Sequence, residues 1–234
     1  MSNRSIKADG KRAGGSPAAT RERILGSAEQ VFAERGYEGA SVRRIALGAD
    51  VPIALVNYHF GNKEGLYRSI FELRTPTIVD QRIAGLELAA TETDLDRRLE
   101  LTIKALIIPM LRLRGTERHS WFVRILSREV TDPNANTRGI VAQFFDPVAK
   151  RFLDELKACL PHAAETDLHW GYHAMLGVMV YIVGDTGRIV RLSDGACDPD
   201  NHEDAAAHVV SLLLAALKHG GLDTRPPQGQ ALSS

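Results

Sequence analysis

Apolar side chains recur at three- and four-residue intervals along most of this chain, without strand-like alternation and without an internal repeat. The first such stripe is Ile24, Leu25, Ala28, Val31 and Phe32. Ser16 and Pro17 ahead of it read as an N-cap followed by proline at the first helical position. Arg35 and Gly36 read as its end, a cation in the last turn and glycine just beyond. Ser41 caps a second, short helix whose apolar face is Val42, Ile45, Ala46 and Ala49. Asp50 falls at the following turn, where positive φ is usual and Asp is tolerated better than most residues. Pro52 suits the first turn of a third helix, with Val51 and Val56 facing inward. Gly61 breaks the chain, and Asn62 caps a helix with Leu66, Tyr67, Ile70 and Phe71 on its apolar side. This makes a three-helix unit of roughly 50 residues, small enough to gain from leaning on a larger body.

The rest of the chain reads as helix after helix. The fourth helix is expected to stop at Pro76. Residues 95–113 carry Leu99, Ile103, Leu106, Ile107 and Met110, with a kink expected at Pro109. Residues 120–130 carry Trp121, Phe122, Ile125 and Leu126. One helix is expected over 137–160 and a long one over 167–192. Asn201 caps a last helix that ends at Gly220-Gly221. The fold class is all-α. The organisation is a basic disordered arm (1–15), a helix-turn-helix domain (16–67), a larger helical domain for ligand binding and dimerisation (68–221), and a loose tail (222–234).

Composition sharpens this picture in two places. The 234 residues carry no net charge, but residues 1–67 hold ten Lys/Arg against seven Asp/Glu, and the remainder is acidic by the same margin. That sign favours nucleic acid at the N-terminal end. The two cysteines, Cys159 and Cys197, lack metal-type spacing and imply a reducing compartment. The longest nearly apolar run, Met175 to Gly184, is about half a membrane span. A cytoplasmic protein without a membrane partner is expected.

Residues 41–67 place Arg, Lys, Tyr, His and Asn where a DNA backbone can reach them, on two short helices joined by a tight turn. The ordered run ILGSAEQVFAERGYEGASVRRIA at 24–46 and VNYHFGNKEGLY at 56–67 resembles the TetR family of bacterial transcriptional regulators. The resemblance covers roughly the first third of the chain. It implies an all-α homodimer whose N-terminal domain binds double-stranded operator DNA and whose C-terminal domain binds a small ligand that releases the DNA. It places phosphate contacts on Ser41, Asn57, His59 and Lys63, and base-edge contacts on Arg43, Ile53, Ala54, Leu55 and Tyr58. Arg44 joins this set from its place in the block. Asp50 replaces the family's usual turn glycine, and Asn57 stands where tyrosine is common. The recognition helix is poor in hydrogen-bonding groups, so Arg43, apolar contact with thymine methyls and DNA shape carry more of the specificity.

The segments at 121–134 and 168–184 look similar to the fatty-acid-responsive branch of that family. A fatty acid or acyl-CoA is the expected effector. The candidate lining residues are Met110, Trp121, Phe122, Ile125, Phe144, Phe145, Tyr172 and His173, with Arg124 placed to meet a ligand carboxylate or to pair internally with Glu129 or another acid. The last helix is apolar around most of its circumference, which suits burial on two sides. The resemblance implies a dimer built on the last two helices, so Ala174, Gly177, Tyr181 and Gly184, together with Val209, Leu213 and Leu217, are the expected dimer interface, with packing inside one subunit as the alternative. Neither a cofactor nor a metal is expected.

Two other function classes compete. His169 and His173 have the i, i+4 spacing of zinc ligands, but HEDAAAH from residue 202 is not HExxH, and the chain lacks P-loop, GxSxG, CxxC and dinucleotide signatures. An enzyme is therefore not expected. A helical protein-interaction adaptor without DNA binding is the alternative, suggested by Asp50 and the apolar recognition helix.

Overall fold

Ser16 accepts a 3.2 Å hydrogen bond from the Ala19 N–H and starts α1 (Pro17–Gly39) in the computed structural model, which describes residues 16–115 and 117–219. The expected arm at 1–15, the stop at Gly220-Gly221 and the tail at 222–234 lie outside the described residues. Among those described, every regular element is a helix. Ile24, Leu25, Ala28, Val31 and Phe32 form the buried stripe of α1, and Gly36, at φ 70°, kinks its end.

Ser41 caps α2 (Val42–Gly48) by accepting from the Arg44 N–H at 3.3 Å. Asp50 adopts φ 51°, the left-handed turn expected of it. Pro52 sits one place earlier than expected, at the N-cap of α3 (Ile53–Phe60). Val56 and Phe60 root α3 in the core. Asn62 then caps α4 (Lys63–Ala90) with a 2.8 Å bond from the Gly65 N–H.

The helix α4 corrects the expected stop at Pro76, because it runs through that residue for 28 positions. Proline removes the bond to the carbonyl four residues back, that of Glu72, but Glu72 and Pro76 are both exposed and water can satisfy it. Ile78, Leu86 and Ala89 beyond the proline are buried, and their packing outweighs the local cost.

The body is built around α5 (Leu95–Arg114), which packs against α4, α6 (Glu117–Glu129), α9 (Asp146–Cys159), α10 (Glu165–Val183) and α12 (His202–His219). Gly85 of α4 lies so close to α5 that a Cβ there would stand 2.6 Å from the Ala105 Cβ. Two expected helices are broken. The one over 137–160 splits into α7 (Ala135–Arg138), α8 (Ile140–Phe144) and α9, divided by Gly139 at φ 64° and by Pro147, which lacks the N–H that would continue the ladder. The one over 167–192 ends at Val183, and α11 (Arg188–Leu192) follows Gly187 at φ 86°. Among the described residues, no helix is long and apolar enough to cross a membrane.

Candidate functional site

The outer face of α2 and α3 gathers the sequence-predicted nucleic-acid residues. Ser41, Arg43, Arg44, Ile53, Ala54, Leu55, Asn57 and Tyr58 are exposed, and His59 and Lys63 are half-buried beside them. Tyr58 is 81% exposed, while Phe60, two residues on, is core. Ser41 spends its acceptor on the α2 cap and keeps a hydroxyl proton to donate. Lys63 leans back on α1, donating to the Glu38 carbonyl at 3.3 Å with its ammonium 4.5 Å from the Tyr37 ring centre. Leu47 was missed by sequence reasoning. It is 81% exposed beside Arg43 and Arg44, and its position off the buried Ile45–Ala46–Ala49 stripe was the available signal. The face thus combines exposed donors with the exposed apolar side chains Leu47, Ile53, Ala54 and Leu55, a chemistry suited to phosphates and thymine methyls.

A buried polar knot ties this unit to the body. Tyr67 of α4 donates to Glu129 of α6 at 3.0 Å, and Arg138 donates to the same carboxylate at 3.0–3.2 Å while pairing with Asp132 at 2.8 Å. Burial and the Glu129 carboxylate push the Tyr67 hydroxyl well above its ordinary value. Burial works against the Arg138 charge, but Glu129 and Asp132 outweigh it and hold its pKa up. The Arg138 guanidinium also lies 4.8 Å from the Tyr37 ring centre. Rings continue the connection inward, from Phe32 to Tyr67 (4.8 Å), Tyr67 to Phe71 (5.2 Å) and Phe71 to Phe122 (5.4 Å). Glu29 of α1 and Arg74 of α4 add a two-pronged pair at 2.7 and 3.1 Å.

Deeper in the body lies a cavity of about 360 Å³ between α4, α5, α6, α9 and α10. It brings together Met110, Phe145, Tyr172 and His173 of the expected lining. It does not include Trp121, Phe122, Arg124, Ile125 or Phe144. Phe122 instead meets Phe71 edge to face, Phe144 stacks on Phe71, and Ile125 is core facing the α1 junction. Arg124 is exposed, its guanidinium 5.4 Å from the Trp121 ring centre, because its place on α6 falls opposite the buried Phe122–Ile125–Leu126 side. The expected pairing with Glu129 is also absent, since that carboxylate is taken by Tyr67 and Arg138.

The cation inside the cavity is Arg82 of α4, only 2% exposed, which sequence reasoning missed. Its signal was present: Phe71, Thr75, Ile78, Arg82 and Leu86 follow the four- and three-residue steps of one buried stripe. Burial lowers its pKa to about 10. A wider cleft of about 750 Å³ lies between α1, α6 and α10 and carries Arg35, Arg124, Arg128 and Arg188. Ser127, Thr131, Val180 and Val183 line both spaces.

The expected interface residues divide. Ala174, Gly177, Tyr181 and Gly184 are exposed on one side of α10, continued by Trp170. Val209, Leu213 and Leu217 are buried at the i, i+4, i+8 spacing that turns them inward, on the helix that packs against α5 of the same subunit. They are core, and Leu212, 63% exposed, is the large apolar residue that α12 offers outward among the described residues.

Residues 24–70 match the model for bacterial regulatory proteins of the tetR family, and residues 104–216 match the tetracyclin repressor-like C-terminal domain. The chain is 32% identical over 126 residues to the HTH-type transcriptional repressor AcnR of Corynebacterium glutamicum, a match covering 52% of this chain and 56% of that protein. It therefore spans a little over half the length of the curated relatives it matches. Its fold is that of FadR from Bacillus subtilis in complex with stearoyl-CoA, at a TM-score of 0.55 and 19% identity over 83% of this chain and 97% of that one. A tetR-family regulatory protein from Rhodococcus RHA1 aligns at a TM-score of 0.63 and 20% identity over 85% and 96%. Helix order, the recognition unit and both family models agree, and the chain belongs to the TetR family of transcriptional regulators.

Proposed function

We propose that this chain is a transcriptional repressor that binds operator DNA as a homodimer and is released when a small apolar ligand enters the cavity between α4 and α10. The observation that carries the reading is α4. One helix begins at the foot of the recognition helix and supplies a wall residue, Arg82, to the cavity. Residues 16–67 act as the DNA-binding domain and residues 68–221 as the ligand-binding and dimerisation domain. Arg43 and the apolar centre of α3 read bases, while Ser41, Arg44, Asn57, His59 and Lys63 hold phosphates. The exposed side of α10, with Leu212 of α12, meets a second copy. Such pairing sets two recognition helices one DNA turn apart, about 34–36 Å.

A ligand shifts the equilibrium only through its different affinity for the two conformations. A 100-fold release needs about 2.7 kcal/mol of coupling. The route is a change in the tilt of α4, carried to α2 and α3 through Tyr67, Phe71 and the Glu29–Arg74 pair. Support for an apolar effector comes from the cavity lining and from the stearoyl-CoA bound to the FadR structure of like fold. The protein acts in the cytoplasm, where its DNA is.

The test is a fluorescence-anisotropy titration of the gene's own upstream DNA, with and without fatty acids and acyl-CoAs of graded length. Salt-dependent binding that weakens with one of these ligands is the expected result. Absence of DNA binding would leave the adaptor reading.

A further inference from the structure

Among the described residues, Arg82 is a buried cation that no carboxylate meets. Its Nη2 donates to the Leu106 carbonyl at 3.5 Å and to the Met179 sulfur at 3.4 Å, both weak contacts, and its Nε–H has no partner. Its guanidinium carbon lies 5.8 Å from the Phe145 ring centre. The acid that lines the same cavity, Asp146, is exposed and forms no ion pair with it among the described residues. The body's other buried or half-buried arginines behave differently: Arg68, Arg74, Arg98, Arg114 and Arg138 each meet a carboxylate. A desolvated charge is costly to leave unpaired, and Arg82 lines the cavity with a buried donor whose contact is unfilled.

We infer that the cavity takes an apolar monocarboxylate, its carboxylate held by the Nε and Nη2 edge of Arg82. This rests on the reading of the cavity as the effector site. The guanidinium edge matches a carboxylate with two parallel N–H···O bonds. Phe145, Met110, Leu176 and Val180 supply apolar wall for a hydrocarbon portion. The depth of Arg82 excludes a nucleotide-sized head from its edge. An acyl-CoA would instead leave its phosphates outside, where Arg124, Arg128 and Arg188 stand. The free acid and the thioester therefore depend on different arginines. Because Arg82 is on α4, the new ion pair forms on the same helix that leaves the recognition unit.

Calorimetry of the full chain with decanoic acid, decanol and decanoyl-CoA tests this, using wild type, Arg82→Met and Arg82→Lys. The expected result is acid binding about 10- to 100-fold tighter than decanol in wild type. Arg82→Met should lose that preference while still binding decanol, and Arg82→Lys should keep part of it. A thermal melt of Arg82→Met at or above the wild-type midpoint shows that the variant is folded. Equal affinity for acid and alcohol in wild type overturns the inference and leaves the apolar-effector reading standing. So does a preference for the acid over decanol that survives undiminished in Arg82→Met. Binding of none of the three overturns both.

Discussion

Tyr67 and Glu129 stand 62 positions apart in the chain and share a buried 3.0 Å hydrogen bond. It joins the helix that leaves the recognition unit to α6 of the body, and Arg138 closes the knot from the other side. Removing the carboxylate strands two buried donors at once. Glu129→Ala should cost about 3–5 kcal/mol, while Tyr67→Phe, which deletes one donor and leaves the ion pair intact, should cost about 1 kcal/mol. Urea unfolding of both variants and of the double variant checks the values. Strictly additive losses would show that the knot does not act as a unit.

The same hydroxyl gives a pH signature. Burial, then Glu129, raises the Tyr67 pKa above its ordinary 10.0, so the folded state holds a proton that the unfolded state gives up. Stability from this group is complete below pH 10 and falls as pH rises beyond it. Tyr37 and Tyr172 are raised too, mainly by burial, and act in the same window. Denaturant midpoints measured from pH 8 to 11 should fall above about pH 10. The fall should be shallower in Tyr67→Phe.

At the proposed nucleic-acid face, the roles proposed for two cations predict separable effects. Arg43 is exposed, whereas Lys63 is half-buried against Tyr37 and the Glu38 carbonyl. Arg43→Ala should cost roughly 1–3 kcal/mol of operator binding and relax one base position. Lys63→Ala should weaken all sequences alike and flatten the salt slope by about one unit. Anisotropy titrations over a panel of operator variants and salt concentrations decide between these roles. Identical losses across the panel would remove the distinction.

Neighbouring leucines of α12 should respond in opposite ways. Leu213 is buried in its own subunit and Leu212 faces outward. Leu213→Glu puts a charge into the core and should unfold the protein or make it insoluble. Leu212→Glu and Gly177→Arg should leave the fold intact and yield monomers. Light scattering with circular dichroism reads both properties. Dimers from Leu212→Glu and Gly177→Arg would move the interface elsewhere.

Where local chemistry decides, the sequence was legible. Ser16, Ser41 and Asn62 cap as expected because a short side-chain oxygen meets a free N–H three residues on. Asp50 takes the left-handed turn for an equally local reason. What was not legible depends on packing or on competing breakers. Pro76 looked like a stop, yet its missing hydrogen bond falls on the solvent side. Reading the helix as ended there hid Ile78, Arg82 and Leu86, and with them the cation of the cavity. Arg124 was drawn inward by its apolar neighbours, although the period of α6 turns it out. Val209, Leu213 and Leu217 sat in a girdle that was apolar nearly all round, and only the position of α5 shows which side is inside.

The continuity of α4 also fixes a rotational phase. Each residue of a helix adds about 1.5 Å and about 100°, so Asn62 and Arg82 are held at a set angle as well as a set distance. Single substitutions along the exposed side at Glu72, Pro76 or Thr77 preserve that angle. Insertion of one residue there turns the recognition unit by over a quarter of a circle relative to the body, tearing Tyr67 from Glu129. Insertion of seven, close to two full turns, restores the facing but displaces the unit by about 10 Å. The signalling proposed for this helix is therefore expected to tolerate changes in residue type and not changes in length. An operator-release assay on variants with one and with seven alanines inserted after Thr77 would read the difference: DNA binding lost in the first, and effector response lost in both.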